Sequence, residues 1–252
     1  MKKILWIGTV LAGMTVYADE VAVEAEPTPP KRWTGALIAN AVANRGNSAS
    51  DVAGVSAEAV FRNDATRFSI GGNYAYGRQK DATTGEQAAS VNNWSVKAQE
   101  DYFLSKAFYL YANARYDQDR IADLKMRQTY GLGAGYQWID KPDLGVKTET
   151  GLTYYNEQMF GGDHRDVIAL RLAYGITKSI GSSVELFHNV EYLPDVTDWA
   201  TALINADIGG RVTFLPHWLV ELKAEWRYNA RPLLHDSKRA DTRTTASIGY
   251  TF

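Results

Sequence analysis

From Trp33 to Phe252, apolar and polar side chains change places at every second position. In HWLVELKAEWRY (217–228), Val220, Leu222, Ala224, Trp226 and Tyr228 share one face, and Glu221, Lys223, Glu225 and Arg227 share the other. In AFYLYANARYD (107–117), Phe108, Leu110, Ala112, Ala114 and Tyr116 oppose Tyr109, Tyr111, Asn113, Arg115 and Asp117. A helix, with its 3.6-residue period, would scatter these sets around its circumference, whereas a strand keeps them apart. The pattern predicts about twelve strands, over 33–43, 51–62, 65–77, 89–103, 107–117, 125–138, 143–155, 166–177, 183–192, 199–213, 217–229 and 240–252. Most far exceed the five or six residues of a typical globular strand. They suit a tilted crossing of a bilayer core, which takes about 9–11 residues plus some at each interface.

The connections alternate as well. NRGNSAS, RQKDATTGEQAA, QDRIADL, NEQMFGGDHR, LPDVTD and ARPLLHDSKR are mostly long and polar, and between them fall ND, LSK, IDKP, KSIGSS and LPH. Long–short alternation is what an up-and-down antiparallel transmembrane β-barrel produces, with long loops outside the cell and short turns in the periplasm. Tryptophans sit near both ends: Trp33, Trp138 and Trp218 beside short turns, Trp94, Trp199 and Trp226 towards long loops, as two interfacial girdles would be. The polar face carries Gly131, Gly133 and Gly135 and charges of both signs, which predicts a face that meets water. A soluble β-sandwich also has one apolar and one polar face per strand, so a soluble periplasmic β-protein stands as an alternative.

Composition changes this picture only at the ends and in what it excludes. MKK followed by ILWIGTVLAGMTV and VYA reads as a secretory leader, residues 1–18, cleaved after Ala18. DEVAVEAEPTPPKR (19–32) is acidic, proline-bearing and aperiodic, and is expected to be a flexible periplasmic segment ahead of a barrel over 33–252. Net charge is −2, or −4 once the leader with Lys2 and Lys3 is removed, which gives no electrostatic case for nucleic acid. The chain has no cysteine, so disulfides, cysteine-ligated zinc and a thiol nucleophile are excluded together.

The stretches WTGALIANAVANRGNSAS (33–50), EDYFLSKAFYLYANARYDQDRIADLKMRQTYGLGAGYQWID (100–140) and KRADTRTTASIGYTF (238–252) resemble the salt-induced outer-membrane protein family. The resemblance covers nearly all the chain from Trp33. It implies an outer-membrane β-barrel of a Gram-negative cell, in a family without an established biochemical role, and brings no catalytic residues with it. The alanine-rich first strand departs from the family's more aromatic pattern.

Candidate chemistry is sparse. His188 shares parity with Leu186 and Val190 and so faces outward; beside a serine and an asparagine it would suit a lipid-modifying outer-membrane hydrolase, but Asn189 points the other way and no serine is placed for it. GGDHRD (161–166) holds too few ligands for a calcium site. GLGAG lacks the helix and Lys-Ser/Thr of a phosphate loop. No cofactor is expected.

The inner face is the better candidate site. Its charges are read as Arg115, Lys125, Arg127, Lys147, Glu149, Arg171, Asp207, Arg211, Glu221, Lys223, Glu225, Arg227 and Arg243, with Glu58, Lys97, Asp117, Glu185 and Glu191 beside them. Near-balance of sign predicts ion pairs bracing the wall, around a narrow channel or a plugged lumen. Val220, Leu222, Trp226, Ile248, Tyr250 and Phe252 are read as lipid-facing. The expected function is a narrow channel for small solutes or a stress-related envelope component, as a monomer. Its expected partners are outer-membrane lipid, lipopolysaccharide and, through the aromatic-ended last strand, the barrel-assembly machinery.

Overall fold

The computed structural model describes residues 33–44, 49–80, 84, 86–233 and 238–252; the leader, the 19–32 segment and His235 lie outside them. Twelve antiparallel strands follow one another around a closed barrel. They are β1 (Trp33–Asn44), β2 (Ala49–Arg62), β3 (Thr66–Lys80), β4 (Gln87–Phe103), β5 (Phe108–Asp119) and β6 (Leu124–Asp140). Then come β7 (Leu144–Met159), β8 (His164–Ile180), β9 (Val184–Pro194), β10 (Ala202–Leu215), β11 (Trp218–Asn229) and β12 (Ala240–Thr251). Each strand pairs with its sequence neighbours, and β12 returns to pair with the first half of β1, which closes the sheet.

The alternation sets which side meets what. Leu132 (68% exposed), Leu222 (61%) and Ile208 (58%) belong to an apolar outer wall that no second layer of the described residues covers. Val220, Trp226, Ile248, Tyr250 and Phe252 stand on the same outer face. A contiguous apolar surface of this extent is foreign to a monomeric soluble protein and fits hydrocarbon. A soluble barrel or sandwich would have turned these side chains inward.

Aromatic side chains ring both ends of the wall. Trp33, Tyr102, Phe108, Trp138, Trp218, Tyr250 and Phe252 lie towards the short turns, and Tyr74, Tyr130, Tyr154 and Trp226 towards the longer loops. Trp94 differs from its expected place near a strand end: β4 starts at Gln87, so Trp94 lies well inside it, level with Tyr74 in the register and bonded through Nε1 to Gln118 Oε1 at 2.9 Å. The β3–β4 hairpin therefore projects past the girdle.

Several strands also run further into the loops than the sequence pattern indicated. QDRIADL, expected as a loop, shrinks to 120–123 because β5 continues to Asp119 and β6 begins at Leu124. Polar residues can stay in the ladder there because both faces are wet beyond the bilayer. At the opposite end the turns are tight, and His217 takes a left-handed φ of 68° in the 216–217 connection.

Candidate functional site

The inner wall is built unevenly. On β5, Tyr109 and Tyr111 point inward and are buried, which is possible because β6 places Gly135 and Gly133 opposite them. A Cβ on Gly135 would stand 2.2 Å from Tyr109 Cζ, and one on Gly133 would stand 2.5 Å from Tyr111 Oη. The glycines of TYGLGAGY are thus cradles for two rings lying against the wall. Gly209 does the same for Phe187, whose Cζ would be 2.4 Å from an added Cβ.

Over these rings runs a hydrogen-bonded chain of charges. Arg67 Nε donates to Asp101 Oδ2 at 2.5 Å, and Gln99 Nε2 donates to Asp101 Oδ1 at 2.8 Å and to Glu149 Oε1 at 3.2 Å. Glu149 also accepts from Tyr109 Oη (2.8 Å), Lys147 Nζ (3.1 Å) and Arg171 Nη1 (2.8 Å). Arg171 Nε continues to Glu191 Oε1 at 2.6 Å, whose other oxygen accepts from Asn205 at 3.0 Å. The chain links β3, β4, β7, β8, β9 and β10, and the Gln99–Glu149 bond skips two strands to do so. A second cluster holds Arg211 between Glu185 (3.1 Å) and Glu221 (2.7 Å), over the Phe187 ring. Towards the loops, Arg127 and Arg165 both bind Glu157. Beside it, Tyr155, Val167, Ala169, Leu193 and Leu203 form a small dry core inside the barrel.

That core corrects the expectation that the whole inner face meets water. Dry packing is confined to patches of the β5–β10 wall, and the remaining inward charges of the same strands face open space. Two cavities, about 320 and 200 Å³, occupy the rest of the interior, the larger lined by β2 to β10, and they share Glu58, Gly71, Lys97, Arg115, Asn205 and Asp207. Arg115, Arg127, Lys147, Glu149, Arg171 and Asp207 line the larger one, with Asp117 and Glu191. Arg211, Glu221, Lys223, Glu225, Arg227 and Arg243 line the smaller. Lys125 is the exception among the expected lumen charges. A β-bulge between Leu124 and Met126 takes it out of the alternation and leaves it exposed at the loop rim.

The sequence reading missed Arg67, Asp101, Glu157 and Arg165. Arg67 shares parity with Ser69 and Gly71, and Asp101 with Gln99 and Lys97, so the inward signal was present for both. Glu157 and Arg165 fell in the stretch read as a loop and so received no face.

The loops above the dry core are tied down. Val196 N donates to Ile168 O at 2.9 Å, and Arg231 reaches Asp198 at 2.5 Å. Desolvation raises the pKa of Asp195, but bonds from the Thr197 hydroxyl and amide, each 2.7 Å, outweigh it and hold the carboxyl below the usual carboxylate range.

His188 faces outward, its Nδ1 3.3 Å from Tyr174 Oη and its register partners Ile176 and Ile208, while Asn189 faces inward and donates to Asp207 at 2.9 Å. In GGDHRD, Asp166 accepts from Tyr154 Oη (2.6 Å) and Asn156 (2.8 Å), and among the described residues no cluster suited to a metal ion occurs.

A closed antiparallel barrel, apolar outside and charged within, has the fold of the outer-membrane β-barrels. The chain belongs to the family described as Protein of unknown function, DUF481, whose model matches residues 39–252. Among solved structures it is similar to an outer membrane channel from Pseudomonas putida F1, at 13% identity and a TM-score of 0.52, over 92% of this chain and 100% of that one. The NanC porin gives 12% identity and a TM-score of 0.49, over 87% of this chain and 98% of that one. The translocator domain of the autotransporter NalP from Neisseria meningitidis gives 11% and 0.48, over 86% and 87%. No curated protein matches the chain in sequence.

Proposed function

We propose that this protein is an outer-membrane barrel that passes small hydrophilic solutes through a narrow lumen. One observation carries the reading: two cavities bearing charges of both signs, joined through Glu58, Lys97, Arg115, Asn205 and Asp207 inside a wall whose outer face is apolar. Twelve strands enclose less room than a sixteen-stranded porin, and the Tyr155 core and the inward rings of Tyr109, Tyr111 and Phe187 take up part of it. The conducting space is therefore small. Both signs of charge line it, so selectivity is weak. Export through the 1–18 leader, insertion guided by the β12 segment, contact with lipopolysaccharide and a monomeric state complete the proposal.

Planar-bilayer recording of the refolded protein tests it. Small, discrete conductance steps with weak ion preference are expected, and membranes that stay silent at saturating protein would remove the passage while leaving the barrel. Cell fractionation tests the location separately.

A further inference from the structure

Most seams of the barrel are zipped along their length. β11 pairs with β12 from Trp218↔Tyr250 to Tyr228↔Ala240, and β1 with β2 from Trp33↔Phe61 to Asn44↔Ser50. The closing seam differs. Gly35 and Phe252 exchange both backbone hydrogen bonds, at 3.1 and 3.0 Å, and pairing continues to Ala39↔Ile248. Among the described residues the register goes no further, although β1 runs on to Asn44 and β12 reaches back to Ala240. The two edges are therefore splayed from Asn40 and Ser247 towards the long-loop end.

Unpaired backbone edges do not persist against hydrocarbon unless water or a ligand reaches them. Here the smaller cavity lies directly behind the gap, touching Asn40 on β1 and Thr245 and Ser247 on β12. Its wall beside the gap carries Lys223, Arg227 and Arg243 against Glu225, while Glu221 is engaged by Arg211. Anything entering from the lipid side meets apolar side chains first, Leu222 and Ile248 among them, and then an excess of positive charge.

We propose that the splayed half of the β1–β12 seam is a lateral portal between the outer leaflet and the lumen. It admits an anionic single-chain amphiphile, head group on the cationic wall and acyl chain trailing through the gap. This rests on the outer-membrane placement proposed above, but not on conduction.

The absence of cysteine makes the test clean. Continuing the register by two steps would set Ala41 opposite Ala246, in the same hydrogen-bonded class of pair as Ala39 and Ile248. A closed pair of that class has Cα atoms within disulfide range. Ala39→Cys/Ile248→Cys should oxidise readily, and Ala41→Cys/Ala246→Cys about tenfold more slowly or not at all. In lipid nanodiscs, a diazirine-bearing palmitate should label the 40–44 and 240–247 segments, and Arg243→Gln should cut that labelling by about fivefold.

Equal oxidation rates in a heat-modifiable, membrane-embedded barrel would overturn the portal alone. So would labelling spread evenly round the outer wall or untouched by Arg243→Gln. Disulfide-linked dimers from Ala41→Cys alone would give the edge to a second copy and overturn it too. Recovery of the unaltered chain in the soluble fraction would remove the membrane reading and the portal together.

Discussion

Arg171 shows how much of the inner wall depends on single side chains. It is buried, and it is the bridge between Glu149 on β7 and Glu191 on β9. Arg171→Leu leaves two carboxylates without their shared cation, and losing one partner of a buried ion cluster costs about 3–5 kcal/mol. Denaturant unfolding in lipid vesicles should show that loss, and an unchanged midpoint would mean that water already solvates the network. The glycine cradles make a second, opposite kind of prediction, because there the fault is added volume. Gly135→Ala drives a methyl group into the Tyr109 ring and should cost about 1–3 kcal/mol. In a Gly135→Ala/Tyr109→Leu double variant the clash is gone, so the two losses should add to less than their sum in the same unfolding assay.

Period-two patterning made the elements legible, because an alternation that one face imposes survives in any strand. It located β7, whose Val146, Leu152 and Tyr154 face out while Lys147, Glu149 and Thr153 face in, without any knowledge of its partners. The pattern failed where the physics that produces it stops. Past the girdle both faces are hydrated, so β5 and β8 run on through polar residues that read as loop. At Lys125 a bulge inserts one extra residue, and parity counted from Arg127 assigns the wrong side. The closure of the barrel has its own local device: Gly35 faces outward with no side chain, and the Phe252 ring fills the space, its Cζ 2.4 Å from where a Cβ would be. Gly35→Val displaces that ring from the short zipped stretch of the β1–β12 seam. The folded, fast-migrating form should melt at a lower temperature on unboiled gels, whereas Gly72→Ala, on a fully paired seam, should melt nearly as the unaltered chain does.

At the scale of the whole barrel, residue identity gave the site's chemistry but not its shape. The inward charges could be named one by one from parity, yet parity places them on a cylinder without saying which of them meet. Glu149 finds Gln99 three strands away, and Arg127 shares Glu157 with Arg165, because glycines, ring packing and curvature bring distant wall positions together. The outcome is a lumen whose charges fall into two populations. Arg171, Arg211 and Glu149 are packed into clusters and serve the wall. Lys97 stands where the two cavities meet, its side chain 57% exposed and 3.4 Å from Glu58. An exposed pair of that kind contributes only about 0–1 kcal/mol to stability, so its place at the junction is free to act on whatever passes. Lys97→Glu should therefore leave the unfolding midpoint nearly unchanged while moving the zero-current potential in a potassium chloride gradient towards the cation value. A selectivity shift of equal size from a loop-rim control, Lys125→Glu, would instead assign the ion preference to the mouth of the barrel and not to the junction of its cavities.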